Sequence, residues 1–374
     1  MANKKQKKKN NLLAIKENKN NNLKKILACF LISRLILILF LIIKKDLSIF
    51  ELYDSIHYLN MAKNGYVQPE LYAFFPLYPV LIKGLSIILP SYKIAGALIS
   101  NICALLSLLI LNNLIEDNNN HKFKLICFIF SPILSFSSIV YTESLFMLLT
   151  ILGYYLYKKD KYILSALIVG LSILTRNTGI ILWGAVGLDM LHRCFIKKEY
   201  KFKKIFIFGI ISLSIGMIYP IYLYIKTGDF LKFATVQSEE WGRISGTFIG
   251  SIISDIKVII RNKPGRIFNI MIFLENWLSF FFTLILGIKI FKKDKVSSIY
   301  IIVSLIAFTI TYRDINYWLT LSSVSLFRYV FNLFPIYIYL LDNKKESTNI
   351  IIYMSFILLS LYNTILIYLG AFLA

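Results

Sequence analysis

FFPLYPVLIKGLSIIL, Phe74 to Leu89, is the stretch on which the topology turns. It is apolar along most of its length, but Pro76 and Pro79 break its start and Lys83 interrupts its middle. If it crosses a membrane, the later segments KKDK (158–161), KKEYKFKK (197–204) and FKKDK (291–295) all fall on the outer side, against the positive-inside bias. Read as a helix lying along the membrane surface, it returns all three to the cytoplasm.

The other apolar runs lie near 26–43, 94–115, 125–141, 143–157, 162–175, 178–195, 205–225, 269–288, 297–312, 326–341 and 350–372. Taken as spans, they give about eleven transmembrane helices with the N-terminus cytoplasmic and the C-terminus outside. The segments then left inside hold 26 of the 42 Lys and Arg, and those outside hold 15. Seven of the outer ones belong to the long stretch 226–266, where the bias counts for little. The reading is an all-α polytopic membrane protein. Residues 1–25 form a Lys- and Asn-rich cytoplasmic tail, and 26–374 form one transmembrane domain. That domain carries a first external loop at 44–93 and a larger one at 226–268.

Composition agrees. Of 374 residues 57% are apolar and the mean hydropathy is +0.67, which excludes a soluble globular chain. The runs are continuous rather than alternating, which argues against a β-barrel. A net charge of +22 suggests nucleic acid in a soluble protein, but here the lysines fill short segments between spans, with no basic stripe interleaved by aromatics. Cys29, Cys103, Cys127 and Cys194 sit in or beside apolar runs and form no CxxC, so neither a zinc site nor a disulfide framework is indicated. The wealth of Ile, Lys and Asn points to an AT-rich, bacterial genome.

This topology gathers polar islands on the outer side: Tyr53-Asp54 with His57, Tyr141-Thr142-Glu143-Ser144, Arg176-Asn177-Thr178-Gly179, Gln237 to Arg243, Arg313-Asp314 and Arg328-Tyr329. Ionisable residues beside hydrocarbon are costly and mark functional sites, although one arginine alone is as readily a helix-end residue reaching for water. Asp54 and His57 are three apart, on one face of a helix. Tyr53, Tyr58 and Tyr66 offer flat rings with hydroxyl handles, suited to a sugar and equally to an interfacial aromatic belt.

These residue types suit transfer of a sugar from a lipid-linked phosphate to an acceptor hydroxyl. Asp54 is the candidate base for the hydroxyl proton. Arg176 and Arg328 are candidates for the donor phosphate, with Arg243 and Arg313 behind them. His57 would meet the phosphate or the acceptor. Glu143 would orient the acceptor or hold an arginine. A single displacement inverts the anomeric centre. With several cations at hand a divalent metal is not required, and no cofactor is indicated.

In order along the chain, YDSIHYLNMAKNGY (53–66), AFFPLYP (73–79), SPILSFSSIVYTESLF (131–146), LSILTRNTG (171–179), GDFLKF with WGR (228–243) and SLFRYVFNLFP (325–335) resemble the PIG-V family of mannosyltransferases, polytopic glycosyltransferases of the GT-C type. The resemblance runs from about Phe50 to Pro335, and YTESLF and AFFPLYP are its more specific motifs. It implies a GT-C fold, an outward-facing site in the first external loop and a polyprenyl-phosphate-linked hexose as donor, mannose being the family's usual sugar. The family's acidic loop residue falls on Asp54, its Thr-Glu pair on Thr142-Glu143 and its Arg before Thr-Gly on Arg176. Trp241 and Arg243 join Thr142, Tyr53 and Tyr58 as substrate-binding candidates. The chain departs from the family pattern at Tyr53 (often Trp), at Asn177 (often Pro) and at Leu326-Phe327. None of these changes removes a reactive group. In GT-C proteins a short helix lies along the membrane in the first loop, where 74–89 falls, and Tyr72, Phe74 and Phe75 would then face an isoprenoid tail.

The implied partners are the polyprenyl-phosphate sugar, a glycolipid or other membrane-associated acceptor, and membrane lipid. A transporter or flippase of a lipid-linked sugar is the main alternative; no internal repeat of the transporter kind is visible. A GT-C transferase with a non-mannose donor and a non-catalytic subunit are the others.

Overall fold

The computed structural model describes residues 24–35, 38–39, 42–43, 47–115, 120–314, 320–323, 325–340 and 346–368. Nearly all of the tail expected at 1–25 lies outside the described residues. Among the described residues the fold is all-helical except for one short strand pair, as long runs of Leu, Ile and Phe without polar alternation require: in hydrocarbon only a helix satisfies its own backbone.

Helix α1 (24–35) is followed by α2 (Asp54–Asn64) and the short α3 (Leu77–Leu85). Then come α4 (Tyr92–Leu114), α5 (His121–Ile129), α6 (Glu143–Lys158), α7 (Tyr162–Thr175), α8 (Gly179–Phe195) and α9 (Phe202–Gly216). The next helices are α10 (Ile218–Thr227), α11 (Lys232–Glu239), α12 (Phe248–Arg261), α13 (Arg266–Ile290) and α14 (Lys295–Ile310). Last are α15 (Leu326–Phe331), α16 (Pro335–Tyr339) and α17 (Glu346–Tyr368). Strands β1 (Arg243–Ser245) and β2 (Thr311–Arg313) pair antiparallel, with Arg243 opposite Arg313. Helix α6 packs between α4 and α7, α7 lies along α9, and α13 is braced by α14 and α15.

By length and composition, four described helical stretches suffice to cross a membrane: Tyr92–Leu114, Phe202–Thr227 (α9 with α10), Arg266–Ile290 and Ser347–Tyr368. Tyr162–Thr175 and Lys295–Ile310 are shorter apolar helices. The chain is a polytopic membrane protein. Three runs expected as spans are not single helices, and the one at 205–225 is divided only at Met217, between α9 and α10. The run at 125–141 is helical only to Ile129 and continues as buried turns to Tyr141, and 326–341 is split into α15 and α16.

The break after Ile129 has a local cause. Pro132 lacks an N–H, and Ser131, Ser135, Ser137 and Ser138 offer the backbone alternative partners. Such irregular backbone is tolerated at membrane depth only inside protein, and here it is tied from all sides. Arg34 Nη1 donates to Ser138 Oγ (2.6 Å) and Asn101 Nδ2 to Ser138 O (2.9 Å). Ser131 Oγ and Tyr337 OH are 2.6 Å apart, and Ser100 Oγ donates to Tyr141 O (3.1 Å). The whole segment thereby becomes a fixed shelf that ends at Thr142-Glu143.

Helix α3 is the part of 74–89 that becomes helical. Its nine residues span about 14 Å, half of a bilayer core. Tyr78 and Ile82 are buried while Val80, Ile87 and Ile88 are exposed, as befits a segment lying on a lipid surface.

Candidate active site

Asp54 and Glu143 each open a helix, α2 and α6, and Arg176 closes α7. Carboxylates at helix N-termini and a cation at a C-terminus sit where the helix dipoles favour them. Four described non-glycine residues have positive φ: Tyr53, Asp160, Lys198 and Ser325. Tyr53 (53°) immediately precedes Asp54 and Ser325 (72°) leads into the helix that carries Arg328, so two strained turns flank one ion pair. The turn at Tyr53 lets the Asp54 N–H donate to Tyr141 OH at 3.1 Å.

The charged groups form one chain. Arg328 Nη1 is 3.1 Å from Asp54 Oδ2, and its Nε is 3.4 Å from Glu143 Oε1. Arg176 Nη1 donates to the same Glu143 oxygen at 2.8 Å and lies 3.4 Å from Thr142 Oγ1, which is 3.3 Å from Tyr58 OH. Glu143 is 1% exposed. Between the two roles open to it, its contacts favour holding arginines.

Tyr329 lies among the cations. Its hydroxyl oxygen accepts from Arg243 Nη2 (3.2 Å) and Arg328 Nη2 (3.3 Å), and the Arg176 guanidinium lies 5.0 Å from its ring centroid. The guanidinium groups of Arg243, Arg328 and Arg176 thus surround the phenol with positive charge. Arg313 faces Arg243 across the strand pair, and burial together with that like charge lowers its pKa.

A cavity of about 440 Å³ opens onto this cluster, within the range of small-ligand sites. Asp54, Tyr58, Glu143, Arg176, Arg243, Arg328 and Tyr329 line it, with Phe74, Phe75, Asn177, Thr178 and Gln237. Of the residues expected from sequence, Thr142 stands directly behind this wall. His57, Trp241 and Tyr53 do not line the cavity. His57 is stacked on Phe74 (5.1 Å between ring centroids) and meets the Trp241 ring edge-on at the same distance. Burial lowers its pKa, against the pull of Asp54 and Glu70. That favours a neutral imidazole at pH 7, packed as a ring rather than acting as a phosphate-binding cation. Trp241 donates its indole N–H to Glu70 O at 3.2 Å and so ties the segment after α11 to the one before α3.

A second, apolar cavity of about 340 Å³ lies beside α3, lined by Tyr66, Pro76, Pro79, Val80, Tyr219 and Tyr222 among others. Phe75, on the wall of the first cavity, packs against Tyr219 on the wall of the second, with ring centroids 4.9 Å apart.

Sequence reasoning passed over the support behind Arg328. Asp255, fully buried, accepts from Trp277 Nε1 (3.0 Å), Ser322 Oγ (2.6 Å), Ser323 N (3.0 Å) and Ser323 Oγ (2.5 Å). Asn276 donates to Ser323 O and accepts from the Phe327 N–H. Together they hold the approach to α15. A lone carboxylate in IISDIKVII carries the same signal that singled out Glu143.

The profile of the family described as "Mannosyltransferase (PIG-V)" matches residues 29–256. The chain belongs to the PIG-V mannosyltransferase family. Its PIG-V relatives include GPI mannosyltransferase 2 of Yarrowia lipolytica, 30% identical over 142 residues, and that of Schizosaccharomyces pombe, 29% identical over 135. These matches cover 37% and 34% of this chain but only 39% and 29% of the relatives, so the chain spans well under half the length of the curated relatives it matches. Among solved structures it is similar to ArnT from Cupriavidus metallidurans bound to undecaprenyl phosphate, with a TM-score of 0.45 and 14% identity over 75% of this chain and 52% of that one.

Glu143 is shared by the buried Arg328 and the partly buried Arg176, so its removal leaves poorly compensated charge. Glu143→Ala is expected to destabilise the protein by roughly 3 kcal/mol, read as a lowered unfolding midpoint in detergent. Lys93→Met, which breaks the half-exposed pair with Glu51, should leave the midpoint unchanged.

Proposed function

We propose that this PIG-V member is an integral membrane glycosyltransferase of the GT-C type. It moves a hexose, mannose by the family's name, from a polyprenyl-phosphate-linked donor to an acceptor hydroxyl on the outer face of the membrane. One observation carries the reading: Asp54, Arg328, Glu143 and Arg176 form a continuous ion-pair chain on the wall of one cavity, beside an apolar cavity at the interfacial helix.

The donor phosphate sits against Arg328 and Arg176, whose forked N–H groups match phosphate oxygens. Its isoprenoid tail lies in the apolar cavity beyond Phe75. The acceptor hydroxyl attacks the anomeric carbon from the face opposite the phosphate. Its proton passes to the Asp54 carboxylate, and the anomeric C–O bond breaks with its electron pair remaining on the phosphate oxygen. One displacement gives inversion. Charge grows on the phosphate as the bond breaks, so fixed arginines bind the transition state more strongly than the ground state. Arg328 touches Asp54, and a phosphate drawing on Arg328 frees that carboxylate to act as a base. The relatives' name, GPI mannosyltransferase 2, supports mannose and a lipid-anchored acceptor.

Purified protein in lipid, given polyprenyl-phosphate with radiolabelled mannose and membrane-extracted acceptors, should form a labelled product. Asp54→Asn should slow this by at least about 100-fold. Equal transfer by both proteins would remove Asp54 as the base. No transfer by either across several donor sugars would sink the transferase reading in favour of transport.

The outward orientation of the site has its own test. In a cysteine-free background, Lys93→Cys should react with a membrane-impermeant thiol reagent added to intact cells. Labelling only after permeabilisation would place the site on the cytoplasmic face.

A further inference from the structure

We propose that Tyr329 is a catalytic residue of this site, donating its phenolic proton to the departing phosphate oxygen. The inference rests on the transferase reading above and adds a general acid to it.

Its geometry sets Tyr329 apart from the other aromatic residues on the cavity wall. The oxygen already accepts two guanidinium N–H groups, from Arg243 on β1 and Arg328 on its own helix. A phenol has one donor and two acceptor positions. With both acceptor positions engaged by cations, the remaining O–H is its one group left to offer, and Tyr329 lines the cavity. Hydrogen bonds from cations polarise the phenol and make it a stronger donor. The ring is held between the Arg176 guanidinium and Phe308, whose centroid is 5.4 Å away, so the hydroxyl has little freedom to turn away. Phenylalanine would fill the same space and keep both ring contacts.

The step balances. The acceptor proton goes to Asp54, the anomeric C–O pair goes to the phosphate, and the phosphate takes the Tyr329 proton. The phenolate left behind is neutralised by Arg243, Arg328 and Arg176. Proton return from Asp54 to Tyr329 through solvent resets the site. The two guanidinium groups hydrogen-bonded to the oxygen stabilise the phenolate as it forms, which favours proton donation to the departing phosphate.

The sign of the pH effect follows. The donor form is lost as the phenol ionises, so kcat/KM should fall along an alkaline limb. The charged groups facing Tyr329 are Arg243 of β1, Arg313 of β2, Arg176 after α7, Arg328 of α15 and Asp54 of α2. The four arginines keep their charge well above neutral pH, so an alkaline limb that Tyr329→Phe removes belongs to the phenol.

The experiment is the pH profile of mannose transfer from polyprenyl-phosphate-mannose by wild type, by Tyr329→Phe and by protein carrying 3-fluorotyrosine at position 329. Tyr329→Phe should lower kcat/KM about 100-fold and lose the alkaline limb. The fluorinated phenol, more acidic and nearly isosteric, should keep activity at low pH and move the limb to lower pH; it decides the matter even if Tyr329→Phe does not fold. Wild-type rate and an unchanged limb in Tyr329→Phe, or an unmoved limb with fluorotyrosine, would overturn the proposal while leaving the transferase intact. No transfer by wild type would remove the transferase reading and this inference with it.

Discussion

Two arginines, Arg328 buried and Arg176 partly so, converge on one buried carboxylate, and the rest of the site depends on it. Glu143 has Arg176 at 2.8 Å and Arg328 at 3.4 Å on the same oxygen. Arg328 is 4% exposed. Placing such groups next to hydrocarbon is expensive, and pairing recovers only part of the cost. Arg176, Arg243 and Arg328 all line the cavity with Asp54 and Glu143, a concentration of positive charge that suits an anionic ligand. Under the proposed transferase reading that ligand is the donor phosphate.

The scaffold that holds this charge is made of broken helices. The serine-rich turns after α5 deliver Glu143, and the turn at Ser325 delivers Arg328 and Tyr329. Each is immobilised by buried hydrogen bonds: Arg34, Asn101 and Ser100 grip the first, Asp255 and Asn276 the second. Continuous helices would have carried these side chains along the membrane normal at fixed intervals. Breaking them lets residues separated by 274 positions, Asp54 and Arg328, meet at 3.1 Å. Catalytic geometry tolerates little slack, which accounts for buried networks spent on turns.

Much of this was legible in the sequence, for identifiable reasons. Ionisable residues beside hydrocarbon are costly, so the polar islands holding Asp54, Glu143, Arg176 and Arg328 pointed to a site when taken together, and Pro76, Pro79 and Lys83 marked 74–89 as an interrupted segment. Family resemblance then put the same residues in order. The helix-face argument grouped Asp54 with His57 and was right about the helix but silent about direction: His57 turns to Phe74 and Trp241, contacts made by residues far along the chain. Tyr329 was seen only as the neighbour of Arg328, since its distinction lies in partners from β1 and α7. The turns at 131–141 were hidden because hydropathy averages over serines that are buried and hydrogen-bonded as if they were apolar.

The most direct test of the account is a structure of the protein in lipid with polyprenyl phosphate bound. The phosphate should lie in the cavity within hydrogen-bond distance of both Arg328 and Arg176, with the Asp54 carboxylate facing the open space beside it and the isoprenoid chain leaving past Phe75. A phosphate held elsewhere, with Arg328 still closed on Asp54 and Glu143, would contradict it.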